Sequence, residues 1–157
     1  MTSANQANDK YTLDVVIPTY RPGPGVRRLF GRLLAQTYPI GKIIIMNTEE
    51  QFWDSRREKA HPSLEVYHLK KEAFDHGGTR KRAARISDGD IMVFMTQDAL
   101  PADRYLIENL VKALTAEECI GAAYGRQLPA SSCSYTEAYT RAFNYPETSS
   151  VKTQKDL

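Results

Sequence analysis

Several things are scarce in this chain, and each scarcity narrows the field. No apolar run is long enough to cross a bilayer. The opening MTSANQANDK has no apolar core, so it is not a signal peptide and reads as a disordered lead-in over residues 1–10. There are two cysteines, Cys119 and Cys133, with no CxxC pair and no histidine at metal-ligand spacing. They read as reduced thiols of a cytosolic protein, not as a disulfide or a zinc site. The net charge of +2 is too small to imply nucleic-acid binding. No GxGxxG follows the first apolar run and no GxxxxGK[ST] occurs anywhere. A nucleotide, if bound, is held in another way. Internal repeats and low-complexity segments are absent.

What is present fits one domain with a core, since 157 residues carry 41% apolar and 25% charged side chains. The runs DVVIP (14–18), KIIIM (42–46) and IMVFM (91–95) are unbroken apolar segments. Such runs predict strands buried on both faces of a parallel sheet. LEVYHL (64–69) alternates more and predicts an edge strand; IGAAY (120–124) predicts a fifth. Between them, Val26, Leu29, Phe30, Leu33 and Leu34 fall at helical spacing after Gly23-Pro24-Gly25. Residues 80–87 are helix formers ending at the stop signal Asp88-Gly89-Asp90. Leu106, Leu110 and Leu114 line a helix starting near Ala102-Asp103. The order β-α-β-(α)-β-α-β-α-β predicts an α/β domain with right-handed crossovers, a Rossmann-like, mostly parallel sheet flanked by helices.

Ligands of open parallel sheets bind outside the carboxyl ends of the strands. The residues that follow the strands are Pro18-Thr19-Tyr20-Arg21, Asn47-Thr48-Glu49-Glu50, Asp75-His76-Gly77-Gly78-Thr79-Arg80 and Thr96-Gln97-Asp98. Arg, Asp, His and Gly therefore collect along one edge of an apolar sheet. Asp98 is either a strand-ending turn residue or the holder of a ligand. Glycines before a helix let the backbone approach a phosphate, and the helix amino terminus offers free N–H groups. Arg80 adds a forked cation. Lys81, Arg82 and Arg85 read as a solvated face. His76 is open between phosphate contact and loop residue, and Asp75 between ligand contact and loop support. Arg126 and Gln127 follow the expected fifth strand, and a polar loop is one reading of them.

These loops, in this order, resemble the family-2 glycosyltransferases of the glycosyltransferase A fold. VVIPTYR (15–21) is similar to that family's opening strand and loop. Thr96-Gln97-Asp98-Ala99 stands at the Asp-x-Asp position. FDHGGTR (74–80), TQDALP (96–101) and YGRQLP (124–129) together resemble rhamnosyltransferase-like members that use a dTDP-sugar. The resemblance implies that Pro18, Thr19, Tyr20 and Arg21 line a nucleoside pocket. It puts Asn47 and Glu49 where an acidic residue meets the base or ribose. Arg80 matches a family arginine near the nucleotide, and Asp75, His76 and Gly77 beside it are taken with it as candidate nucleotide-sugar-binding residues. For Arg126 and Gln127 the resemblance implies the other reading, a place near donor or acceptor. Asp98 matches the last Asp of Asp-x-Asp and becomes the metal ligand for Mg²⁺ or Mn²⁺, with Gln97 or Thr96 bonding a ligand or a metal-bound water.

The resemblance further implies an inverting transfer from a nucleotide-sugar donor to a glycan of the cell surface. The location it implies is cytoplasmic, with a peripheral position at the inner membrane face as an extension. The general base is expected beyond Leu157, because neither late glutamate, Glu137 or Glu147, has a setting that marks it. Residues 11–130 are then the donor-binding domain, and residues 131–157 the start of an acceptor-binding half. The chain reads as a truncated enzyme, weak or inactive alone. Tyr135, Tyr139, Phe143 and Tyr145 stand at near-helical spacing and predict self-association or a mobile tail. Two other readings compete: a non-catalytic nucleotide-binding or assembly domain of the same fold, and a sugar-phosphate nucleotidyltransferase. The second ranks lower, because the glycine loop it needs is interrupted here by Pro22 and Pro24.

Overall fold

A computed structural model describes residues 11–59, 61–130, 132–153 and 155. The expected lead-in, 1–10, lies outside the described residues. Four strands, β1 (Leu13–Tyr20), β2 (Ile43–Thr48), β3 (Leu64–Leu69) and β4 (Ile91–Phe94), form one parallel sheet in the order β3-β2-β1-β4. The α-helices among the described residues are α1 (Gly25–Leu34), α2 (Arg56–Lys59), α3 (His76–Ile86), α4 (Leu106–Leu114) and α5 (Tyr135–Asn144). The chain leaves β1 first toward β2 and later returns on the other side as β4. This reversal puts helices on both faces.

Each face has its own core. Val26, Leu29, Phe30 and Leu33 of α1 and Ile107 and Val111 of α4 pack on Val15, Ile17, Ile43 and Ile45. Ala83 of α3 packs on Val16, Ile44 and Met46. Ile43, Ile44 and Ile45 have no exposed surface, as an unbroken apolar run in a central strand requires. The expected edge position of residues 64–69 is observed in β3.

Three expectations need correction. No strand forms at 120–124, where the chain is irregular and mostly exposed. Gly121-Ala122-Ala123 offers too little side chain to pack on a pleated surface. β4 is not buried on both faces, since Met92 and Phe94 are 36% and 45% exposed. The helix on that face, α3, lies over β1 and β2 instead. In α4 the deeply buried residues are Ile107 and Val111, while Leu106, Leu110 and Leu114 are only half-buried.

At the amino edge of the sheet, the polar groups satisfy one another. Buried Asp14 accepts from Lys42 N at 2.9 Å, from Ser87 Oγ at 2.6 Å and from Gly89 N at 3.2 Å. Asp90 accepts from the Thr12 hydroxyl and N–H, which holds its carboxyl below the usual range. Lys42 Nζ bonds Asp88 at 2.7 Å, and this bond lowers the Asp88 carboxyl.

Candidate functional site

The carboxyl edge is built differently, and the difference starts at Pro18. Val15 bonds β2 through its N–H to Lys42 O, and Val16 bonds β4 by accepting from Met95 N at 2.9 Å. Alternation along the strand then directs Pro18 and Tyr20 toward β4. Proline has no N–H to give a ladder. The pairing with β4 ends at Val16 and Phe94, and the two strands separate. Two residues on, the side-chain amide of Gln97 takes the place of the departed strand. Tyr20 N donates to Gln97 Oε1 at 3.0 Å, and Gln97 Nε2 donates to Tyr20 O at 3.1 Å.

This latch fixes the turn that carries Asp98. Ala99 N donates to Thr96 O at 3.2 Å, so backbone closes the turn. The Asp98 side chain is exposed and makes no hydrogen bond or ion pair among the described residues. The carboxylate is therefore not what ends the strand. It stands free at the point where the sheet's winding reverses.

Next to the split, the loops after β1 and β2 lock together. The Arg21 guanidinium lies 4.5 Å from the Phe52 ring centroid and 5.1 Å from that of Tyr20. The Tyr20 and Phe52 rings meet edge-on at 6.0 Å. Arg21 (φ 46°) and Glu49 (φ 64°) are the non-glycine residues of positive φ among the described residues. Backbone strain of this kind gathers at functional sites. Thr19 and Asn47 are brought together as expected, but beneath the surface, at 2% and 0% exposure. Thr19 Oγ1 donates to Asn47 Oδ1 at 3.0 Å.

Two buried polar atoms, Thr48 Oγ1 and Arg57 Nη1, have no hydrogen-bond partner among the described residues. Arg57 Nη2 donates to Pro22 O at 3.1 Å, and the guanidinium lies 5.5 Å from the Trp53 ring centroid. Arg57 carries no sequence signal, because its four-residue helix reaches this edge only through the fold.

The third wall is the amino terminus of α3, which begins four residues before the expected position. Asp75 is its cap: the side chain accepts from Gly78 N, and Asp75 N donates to Thr79 Oγ1 at 3.3 Å. An aspartate before a helical run is a readable start signal. A Cβ on Gly78 would lie 2.7 Å from Asp75 Oδ2, so a larger residue there makes the capping carboxylate shift. Arg80 folds back over the first turn, with Nη1 donating to His76 O at 2.9 Å. The His76 ring packs edge-on against Phe74.

A separate groove is lined by Gln127, Glu137, Arg141 and Tyr145, none of which belongs to these loops. Arg141 pairs with Glu137 at 2.9 Å and donates to Gln127 Oε1 at 2.7 Å. Arg126 pairs with Glu147 at 3.3 Å. Both late glutamates thus form exposed ion pairs with arginines.

The family model described as Glycosyl transferase family 2 matches residues 14–155. The chain belongs to glycosyl transferase family 2. It is 31% identical over 146 residues to the O-antigen chain rhamnosyltransferase RfbN of Salmonella typhimurium, covering 92% of this chain and 46% of that protein. It is 28% identical over 145 residues to the O-antigen chain rhamnosyltransferase WbaN of Salmonella anatum, covering 91% and 45%. This chain spans about half the length of the curated relatives it matches. The solved mannosyltransferase PcManGT of Pyrobaculum calidifontis, in complex with GDP-Man and Mn²⁺, has a TM-score of 0.53 and 26% identity, covering 66% of this chain and 32% of that one. The sheet is that of the glycosyltransferase A fold.

A divalent cation can be tested against the side chains of this family-2 chain. Asp98 offers one free carboxylate, while the Gln97 amide is consumed by Tyr20. Among the described residues no cluster of three His, Cys, Asp or Glu side chains forms. Mg²⁺ is often held by one carboxylate together with substrate phosphates and water. The residues fit a cation shared with a bound diphosphate, not one caged by protein. No helix among the described residues is long and apolar enough to cross a membrane.

Proposed function

We propose that this chain binds a nucleoside-diphosphate sugar at the β1–β4 split and serves an inverting transfer of that sugar to a glycan hydroxyl. The observation that carries the reading is the latch: Gln97 substitutes for a strand and leaves Asp98 unpaired where the winding reverses. The Tyr20–Arg21–Phe52 cluster seats the nucleoside. The amino terminus of α3, with His76, Gly77 and Arg80, faces the diphosphate. Asp98 holds a divalent cation jointly with the phosphates, and that cation neutralises charge on the departing diphosphate. Asp75, Thr19, Asn47 and Gln97 act as supports rather than direct contacts, because their side-chain groups bond within the protein.

The likeness to two O-antigen chain rhamnosyltransferases supports a dTDP-deoxysugar donor, rhamnose above others, and a cell-surface polysaccharide acceptor. The reading places the protein on the cytoplasmic side, where such donors are made, with peripheral membrane contact as an extension. Residues 11–130 are the donor-binding unit, and residues 131–157 begin the acceptor-binding part. Calorimetry with dTDP, UDP, GDP and dTTP, each with and without Mn²⁺, tests this. Cation-dependent diphosphate binding with dTDP tightest is expected. Preference for the triphosphate points to nucleotidyl transfer, and binding of none of the four contradicts the reading.

A further inference from the structure

Thr19, Asn47 and His68 are partners in register across β1, β2 and β3. They extend the rows Val15–Ile17, Ile43–Ile45 and Leu64–Val66, which pack in the α1-side core. An apolar row thus ends in three polar residues at the carboxyl edge, two of them buried. Burying polar groups costs stability unless each is bonded, so the arrangement calls for a reason.

The bonds define the state of the exposed member. Asn47 Nδ2 lies 3.2 Å from Glu49 O, and a backbone carbonyl only accepts. That fixes the amide orientation, with Nδ2 as the donor. The same Nδ2 lies 3.1 Å from His68 Nδ1. Nδ1 must therefore accept, which puts the proton of the neutral ring on Nε2. On the other side, Asn47 Oδ1 accepts from Thr19 Oγ1. Three buried or edge groups are thus spent on aiming one ring. His68 itself is exposed, and its Nε2 bonds nothing among the described residues. Glu49, whose carbonyl Asn47 holds, bends at φ 64° and leads directly into the turn that carries Phe52.

We propose that His68 is a nucleoside-recognising residue, presenting Nε2–H as a hydrogen-bond donor to an acceptor on the base or ribose of the bound nucleotide, with Asn47 as its positioning residue. The proposal rests on the reading of this edge as a nucleotide site and adds a residue to it. His68 lies on the outer strand β3, on the opposite side of β1 from Asp98, so it can meet only the nucleoside end of a ligand whose diphosphate lies at Asp98.

The test uses the full chain with ¹⁵N-labelled histidine, the His68→Phe variant and two probes, dTDP and inorganic pyrophosphate. Long-range proton–nitrogen spectra of the free protein should show the His68 proton on Nε2. dTDP should shift the Nε2 signal, and pyrophosphate should leave it in place. H68F should bind dTDP about three- to tenfold more weakly, as expected for one lost neutral hydrogen bond, and pyrophosphate equally well. A proton on Nδ1, or unchanged dTDP affinity in H68F, overturns the assignment while leaving the nucleotide site standing. Wild-type protein that binds no dTDP overturns both.

Discussion

Gln97 is the residue on which the site's geometry turns. Its side chain reproduces, with one donor and one acceptor, the pairing that a strand would give Tyr20. Gln97→Ala should remove both bonds at a cost of about 1–2 kcal/mol, since neutral hydrogen bonds contribute roughly 1 kcal/mol each. Gln97→Glu keeps an acceptor for Tyr20 N but sets a carboxylate against Tyr20 O, so it should not recover the loss. Urea unfolding of the two variants checks this; full stability in Gln97→Ala would mean the latch is incidental. From the sequence, Gln97 looked like a ligand contact. Its partner lies 77 residues away, and only the register of β1 and β4 brings the two together. The burial of Asn47 is hidden from the sequence for the same reason, because the pairing of three strands puts it beneath the surface.

At the scale of elements, α3 depends on its first turn. Asp75→Ala removes the cap and should cost about 1 kcal/mol. Gly78→Ala sets a methyl group against the same carboxylate. Denaturant midpoints of the two single variants and the double variant should show that the double costs less than their sum, because the clash disappears with the carboxylate. Strict additivity would mean that the Asp75 side chain is not held over Gly78. The four strands were legible because their apolar runs are unbroken and the loops after them share one chemistry. The small residues at 120–124 resemble a buried run in sequence, but no strand among the described residues pairs with them. α2 and the turn at Glu50–Phe52 leave no periodic signal, so the placement of Phe52 and Arg57 at this edge is not legible in the sequence.

The whole molecule divides its polar groups unevenly. At the amino edge, Asp14, Lys42, Asp88 and Asp90 bond one another or their neighbours, whereas at the carboxyl edge Asp98, Arg57 Nη1 and Thr48 Oγ1 have no partner among the described residues. Away from both edges, Tyr135, Tyr139 and Phe143 of α5 are exposed by 86%, 63% and 76%, and Tyr139 stacks on Phe143 at 6.5 Å. An aromatic face of this kind favours association. Sedimentation velocity should show mass rising with concentration, and less so for Tyr139→Ser with Phe143→Ser; a monomer at all concentrations would count against it. The central claim is that the unspent carboxylate at the β1–β4 split binds a nucleoside diphosphate through a shared divalent cation. Calorimetric titration of dTDP into the wild type and Asp98→Ala, each with and without Mn²⁺, tests it most directly. The account predicts that Mn²⁺ strengthens dTDP binding at least tenfold in the wild type and has no effect in Asp98→Ala, a tenfold change being about 1.4 kcal/mol. Equal strengthening by Mn²⁺ in both proteins would contradict it.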